Sequence, residues 1–267
     1  MNWGMKNRLS RIIRPSTGRL VMLAVDHGYF LGPTSGLEEP EKTINPLLQY
    51  CDGLMLTRGV LRNCVPATTN VPIILRVSGG SSILKELSNE EILVAIEEAI
   101  RLNVSAITLS IFIGGEFEKQ SLVSLGKLVD EGERYGIPVL AVTAVGKEMV
   151  RDARYLGLAT RIAAEVGAHF VKTYCCDDFQ QVVSHCPVPL IVAGGKKLEE
   201  SKALELVYNS VQSGAVGVDM GRNIFQSEHP TAMIQAVSSV VHDNTSVADA
   251  FDLYKSLSSD LVLAGNP

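Results

Sequence analysis

A chain of 267 residues buries roughly three quarters of its unfolded surface, so it needs neither a disulfide nor a metal to hold a core. Hydrophobic residues make up 46% and charged ones 20%, the balance of a globular protein with a large interior. The formal net charge of −5 excludes the broad basic face of a nucleic-acid or anionic-membrane binder, so any phosphate must be met locally. Five cysteines, odd in number and without CxxC spacing, argue against a disulfide framework or a zinc site and for a reducing, cytoplasmic setting. Residues 1–14 carry Lys6, Arg8, Arg11 and Arg14 without an apolar stretch, so they do not resemble a signal peptide. No apolar run approaches the ~18 residues of a membrane span.

In chain order, residues 1–14 read as a leading helix, followed by a short apolar run at 20–25. Similar runs recur at 53–57, 73–77, 106–111, 139–143, 169–173, 190–193 and 216–220. Most are rich in Val, Ile and Leu and too short for helices, which is how strands buried on both faces of a parallel sheet read. Amphipathic stretches alternate with them. Asn89 before Glu91 and Ile92 resembles a capped helix start, and Ile92, Ile96, Ala99 and Ile100 give that helix its apolar stripe. Leu122, Leu125 and Val129 form the next stripe, which stops at Gly136 before Ile137-Pro138. Leu204, Val207 and Val211 form another, and Met233, Ala236, Val237 and Val240 the last before a trailing helix at 246–257 and a frayed end at 258–267. The connections after strands two and six leave room only for short helices.

Eight strands alternating with helices over about 250 residues fit a single α/β domain, a (β/α)8 TIM barrel spanning residues 1–267. A doubly wound open sheet has the same alternation, and counting strands does not separate the two.

In such a barrel the active site lies at the C-terminal ends of the strands. Lys172 stands inside the apolar segment His169-Phe170-Val171-Lys172-Thr173-Tyr174, on the same face as Phe170 and Tyr174. A buried ammonium is costly unless paired or neutral, and desolvation favours the neutral amine that a nucleophile requires. Asp26-His27-Gly28 closes strand one and offers an acid/base pair, or simply a turn. Ala193-Gly194-Gly195 follows strand seven, and Asp219-Met220-Gly221-Arg222-Asn223 follows strand eight. Glycines there let backbone N–H groups approach an anion, this loop pair is the recurrent phosphate site of the barrel, and Arg222 adds a charge-assisted contact. Asp219 either faces inward and pairs with Lys172 or caps the next turn. Arg58 and Arg76, at the ends of strands two and three, bind substrate oxygens or form barrel ion pairs. Gly79-Gly80-Ser81-Ser82 and Gly114-Gly115 suit tight loops near the pocket, Lys147 a solvated loop. Cys175 and Cys176 have no readable base beside them, so they suit packing better than nucleophilic catalysis. No GxxxxGK[ST] or GxGxxG loop and no metal-ligand spacing is present.

Longer strings carry a resemblance. Trp3-Gly4-Met5, Arg8-Leu9-Ser10-Arg11 and Met22-Leu23-Ala24-Val25-Asp26-His27-Gly28-Tyr29-Phe30 open it. Ser88-Asn89-Glu90, Ala141-Val142-Thr143-Ala144-Val145-Gly146-Lys147 and Leu158-Ala159-Thr160-Arg161-Ile162-Ala163-Ala164-Glu165 continue it. Ala193-Gly194-Gly195-Lys196-Lys197 and Gly217-Val218-Asp219-Met220-Gly221-Arg222-Asn223-Ile224-Phe225-Gln226-Ser227 close it. Over residues 3–255 the chain is similar to the autoinducer-2-processing thiolases, which share the class I aldolase superfamily with the archaeal-type fructose-bisphosphate aldolases. The resemblance implies a barrel whose strand-six lysine, Lys172, forms a Schiff base, with the substrate phosphate on Gly194-Gly195 and Gly221-Arg222. It also implies a homo-oligomer that holds no permanent cofactor or metal. With coenzyme A as cosubstrate, such an enzyme splits a phosphorylated diketone into dihydroxyacetone phosphate and acetyl-CoA. The aldolase cousins carry a tyrosine acid/base at the end of strand five, where this chain reads Val142-Thr143-Ala144-Val145. A class I aldolase and a barrel that only binds a phosphorylated signal are the rival expectations, and the roles of Asp26 and His27 stay open between them.

Overall fold

The computed structural model of the chain describes residues 1–144 and 150–263, with side chains as far as Ser259. The eight apolar runs become β1 Leu20–Ala24, β2 Gly53–Thr57, β3 Ile73–Arg76, β4 Ala106–Ile111, β5 Val139–Thr143, β6 Phe170–Thr173, β7 Leu190–Ala193 and β8 Gly217–Met220. They close into one ring in the order β1, β8, β7, β6, β5, β4, β3, β2, with every neighbouring pair parallel. Closure excludes the open, doubly wound sheet and confirms the (β/α)8 barrel.

Alternation along the strands divides their side chains between two cores. Leu20, Met22, Ala24, Met55, Ile74, Ala106, Leu140, Phe170 and Ile191 fill the barrel. Val21, Leu23, Leu54, Leu75, Ile107, Val139, Val171, Val192 and Val218 lie between them in sequence and pack outward on the helices. Both faces are buried, hence the near-continuous apolar runs. Two residues further along the inward-facing rows, the interior turns polar: Arg76 follows Ile74, and Lys172 follows Phe170. That switch places the site.

The helices are α1 Trp3–Ile12, α2 Gly28–Leu31, α3 Pro40–Ile44, α4 Arg58–Cys64, α5 Ile96–Arg101, α6 Glu118–Tyr135, α7 Ala153–Glu165, α8 Phe179–His185, α9 Glu200–Gln212, α10 Arg222–Phe225, α11 Pro230–Asp243 and α12 Val247–Leu263. The helices after β2 and β6 are short, as the spacing requires. Asn2 caps α1 by accepting from the Met5 N–H, and Ile12 enters the interior cluster, so α1 plugs the N-terminal mouth of the barrel. Gly136 ends α6 in the left-handed conformation, φ +69°.

Two expectations are corrected. The helix expected at Asn89 begins only at Ile96, because Glu91–Ile92 pairs antiparallel with Ser78–Gly79. This excursion from the end of β3 satisfies its own backbone, helped by Ser81 Oγ donating to the Asn89 carbonyl. The end expected to fray from residue 258 continues as α12 to Leu263. Lys147 lies outside the described residues.

Below the barrel, Asp52 joins β1, β2 and α11. Its Oδ2 accepts from the Val21 N–H at 2.7 Å and pairs with His242 Nε2 at 2.8 Å, while Oδ1 accepts from the Arg14 guanidinium. Burial pushes this carboxyl up, but His242, the Val21 amide and Arg14 outweigh it and hold it below its ordinary value. A carboxyl with a depressed folded pKa stabilises above its unfolded pKa, and the effect is lost as pH falls through the folded value. Asp52→Asn should therefore cost about 1–3 kcal/mol at neutral pH, with the two chains converging below about pH 4. Urea unfolding at pH 7 and pH 3 checks this; a gap equal at both would contradict it.

Candidate active site

Above the polar switch a cavity of about 600 Å³ opens at the C-terminal ends of the strands. Lys172, Asp26, His27, Arg76, Asp219, Gly194, Gly195, Gly221 and Arg222 all line it, from β1, β3, β6, β7, β8 and the loops that follow.

Lys172 Nζ on β6 lies 2.7 Å from Asp219 Oδ2 on β8, the two strands that flank β7. Of the two roles open to Asp219, the structure selects pairing. The aspartate is fully enclosed, and its Oδ1 has no hydrogen-bond partner among the described residues. Burial raises the Asp219 carboxyl above its ordinary value, against the pull of the Lys172 charge.

A second ion pair stands beside it. Arg76 Nε donates to Asp26 Oδ2 at 3.0 Å, Arg76 Nη1 donates to Ser110 Oγ at 2.9 Å, and the guanidinium lies 5.1 Å from the centre of the Tyr29 ring. Burial pushes Asp26 up, but Arg76, His27 and Lys172 outweigh it and hold the carboxyl low. His27 behaves oppositely: burial drops its pKa to about 4 despite Asp26, so the ring is neutral at neutral pH. Its Nδ1 is buried and unpartnered among the described residues. The ring stands edge-on to Phe225 at 5.5 Å and beside Gly221, where a Cβ would come within 2.4 Å of His27 Cε1.

Asn223, fully buried, ties the loops after β7 and β8 together. Its Nδ2 donates to the Gly194 carbonyl at 2.7 Å, and its Oδ1 accepts from the Leu198 N–H at 2.7 Å. Gly195 takes φ +69°, which favours glycine, and Arg222 Nε is buried without an acceptor among the described residues. The pair of loops thus offers glycine backbone and a cation with an unspent donor.

Sequence reasoning missed Tyr29, Glu90 and Ser110. The Tyr29 hydroxyl donates to Glu90 Oε1 and the Ser78 hydroxyl to Glu90 Oε2, each at 2.7 Å. Tyr29 follows Asp26-His27-Gly28 so closely that its neighbours were a usable signal; Glu90 sits in an excursion whose path was not readable. At the mouth, Gly114 and Gly115 line the cavity and Arg151 stacks on Tyr174 at 3.8 Å. Arg58 opens α4 and does not line it, nor do Gly79, Cys175 or Cys176. Burial pushes the Cys176 thiol up to about 11 and raises Cys175 as well, so neither is a ready thiolate. Among the described residues no group of three or more His, Cys, Asp or Glu side chains is arranged to hold a metal, and no helix is long and apolar enough to cross a membrane.

Residues 20–227 match the model of the DeoC/LacD family aldolases. A 3-hydroxy-5-phosphonooxypentane-2,4-dione thiolase from Photorhabdus laumondii is 57% identical over 257 residues, 96% of this chain and 88% of that one. A protein of the same name from Escherichia coli is 54% identical over 257 residues, with the same coverage of 96% and 88%. An archaeal fructose 1,6-bisphosphate aldolase superposes with a TM-score of 0.80 at 25% identity, covering 90% of this chain and 99% of its own. Another archaeal aldolase structure, with its catalytic lysine covalently bound to the carbinolamine intermediate of the substrate, gives a TM-score of 0.79 at 25% identity, covering 89% and 99%. With a family model that spans most of its length and relatives at this identity, the chain belongs to the DeoC/LacD aldolase family.

Proposed function

We propose that the chain is a Schiff-base thiolase that cleaves 3-hydroxy-5-phosphonooxypentane-2,4-dione with coenzyme A, giving dihydroxyacetone phosphate and acetyl-CoA. The observation that carries this reading is the buried Lys172–Asp219 pair at the base of a cavity whose rim holds the Gly194-Gly195 and Gly221-Arg222 loops. The names of the relatives from Photorhabdus and Escherichia coli support the substrate.

Asp219, its carboxyl raised by burial, accepts the ammonium proton and frees the amine. The amine attacks the ketone next to the phosphorylated carbon, and loss of water gives an iminium. Asp26, held ionised by Arg76 and facing Lys172, stabilises that charge. The coenzyme A thiol adds to the acetyl carbonyl as it loses its proton, and the carbon–carbon bond beside it breaks. The bonding pair flows into the iminium to form an enamine, which takes up the proton the thiol lost. Water then hydrolyses the remaining imine. An iminium accepts that pair far better than a ketone, which is why the site holds an amine away from solvent. Backbone N–H groups of the glycine loops and Arg222 hold the phosphate and fix the ketone over Lys172.

Between the two acid/base candidates, Asp26 is occupied by Arg76, whereas His27 is neutral with a free ring nitrogen, so His27 positions the water that releases the product. A strict aldolase is disfavoured at the end of β5, where the sequence Val142-Thr143-Ala144-Val145 supplies no tyrosine and the Thr143 hydroxyl donates to Thr173 Oγ1 at 2.8 Å. Acetyl-CoA and dihydroxyacetone phosphate appearing together, and only with coenzyme A, test the reading. Dihydroxyacetone phosphate without coenzyme A would make the cleavage hydrolytic. His27→Ala should slow turnover about 10²–10⁴-fold while borohydride still traps substrate on Lys172; an unchanged rate would move this role elsewhere.

A further inference from the structure

Across the cavity from the phosphate loops, a line of donors ends on a carboxylate. Arg76 Nη1 donates to Ser110 Oγ, the Ser110 hydroxyl interacts with the Tyr29 phenol, and the phenol donates to Glu90 Oε1 at 2.7 Å. Glu90 is only 4% exposed, yet with Tyr29 and Ser110 it lines the cavity, and no step above uses it. Keeping a carboxylate out of water is costly, so an idle one at a reaction site is unexpected.

Position on the ring decides what this wall meets. β3 and β4 stand opposite β7 and β8. A substrate with its phosphate on the β7 and β8 loops and its ketone on Lys172 points its acetyl group at Ser110 and Tyr29. There the thiol must arrive, and there it must lose a proton as the carbon–sulfur bond forms.

Resting on the thiolase reading above, the geometry points to Tyr29 as the catalytic residue that takes the proton of the coenzyme A thiol while passing its own to Glu90, the positioning residue behind it. The thiol proton moves to the Tyr29 oxygen and the phenol proton to Glu90 Oε1. Sulfur bonds to the acetyl carbon, the carbon–carbon bond breaks, and its pair enters the iminium. The proton on Glu90 then returns through Tyr29 to the enamine carbon, so phenol and carboxylate end as they began. The charged groups facing the phenol are Asp26 from its own loop, Arg76 from β3 and Glu90 from the excursion. Burial, opposed by Arg76 and reinforced by Glu90 and Asp26, pushes the phenol up, so it stays protonated and passes protons on without storing charge. Asp26 cannot serve in its place, because Arg76 holds its Oδ2.

The test uses the full chain, coenzyme A and the phosphorylated pentanedione. Glu90→Gln should keep borohydride trapping of substrate at the wild-type level while acetyl-CoA formation falls about 10²–10⁴-fold. The residual rate should climb about tenfold per pH unit toward the thiol pKa of about 8.5, following the thiolate fraction, while the wild-type rate changes far less. Tyr29→Phe keeps the ring over Arg76 and should behave alike. A Glu90→Gln variant with the wild-type rate and pH profile overturns the relay, and so does one that loses trapping together with thiolysis. Wild-type protein that traps substrate but makes no acetyl-CoA overturns the thiolase reading and the relay with it, whereas failure confined to the variants overturns the relay alone.

Discussion

Lys172→Ala is expected to reduce thioester formation to the uncatalysed background and to abolish borohydride trapping, in a barrel that still folds. The chemical half follows from the reaction: without the amine there is no iminium, and a plain ketone is a poor sink for the bonding pair. The structural half depends on what remains. Asp219 loses its partner at 2.7 Å and keeps an enclosed position, and an unpaired buried charge costs about 3–5 kcal/mol. The carboxyl escapes this by staying protonated, because burial already raises it and the opposing lysine charge is gone. A group whose folded pKa lies above its unfolded value stabilises the fold while protonated, and that stability is lost as pH rises through the folded value. The variant should therefore melt close to wild type at pH 5 and clearly lower at pH 8. Adding Asp219→Asn should close the alkaline gap without restoring activity. Thioester formation surviving in Lys172→Ala would end the Schiff-base assignment, and a gap equal at both pH values would mean that Asp219 does not carry the cost.

The parallel sheet was legible because burial on both faces of a parallel strand leaves a clear trace in the sequence. Val21 packs outward and Met22 inward, both are apolar, and the run around them can hardly be anything else. The same logic exposed Lys172, a cation one residue beyond Val171 on the face of Phe170. Closure was not legible, because no residue in β1 announces that its partner will be β8, nearly two hundred positions away. The excursion after β3 was misread for a related reason. Asn89 and Glu91 have the composition of a helix start, but a two-residue ladder to Ser78–Gly79 satisfied that backbone first. Glu90 was lost with it, since the path of the excursion decides whether a glutamate faces solvent or a phenol. Asp219 and Asn223 show the middle case: the sequence placed both at the right strand end, and only the folded ring reveals that one meets Lys172 while the other ties Gly194 to Leu198.

Gly221→Ala should damage the site by a different route, and less completely than loss of the lysine. A Cβ at this position would lie 2.4 Å from the Ala24 carbonyl oxygen and 2.4 Å from His27 Cε1, so the backbone of β1 and the histidine are struck together. A flexible side chain could swing away; a strand carbonyl in a closed ring cannot. The loop after β8 must shift, carrying Arg222 and Asn223 and, through the Asn223 bond to the Gly194 carbonyl, the loop after β7. Overpacking of this kind costs about 1–3 kcal/mol of stability, which a barrel of this size can survive. The loss in function should be larger, because a displacement of about 1 Å in a positioning group can cost on the order of 10²-fold in rate. The expected signature is a raised KM for the phosphorylated substrate together with a lowered kcat, since the proposed phosphate loop and the histidine are displaced by the same clash. Gly59→Ala is the control: a Cβ there meets nothing within 4 Å, and alanine suits the helical backbone of α4 better than glycine. Kinetics of both variants decide the matter. A Gly221→Ala enzyme with wild-type KM would show that the loop after β8 does not hold the phosphate, and a Gly59→Ala enzyme equally impaired would show that the effect is not specific to the site.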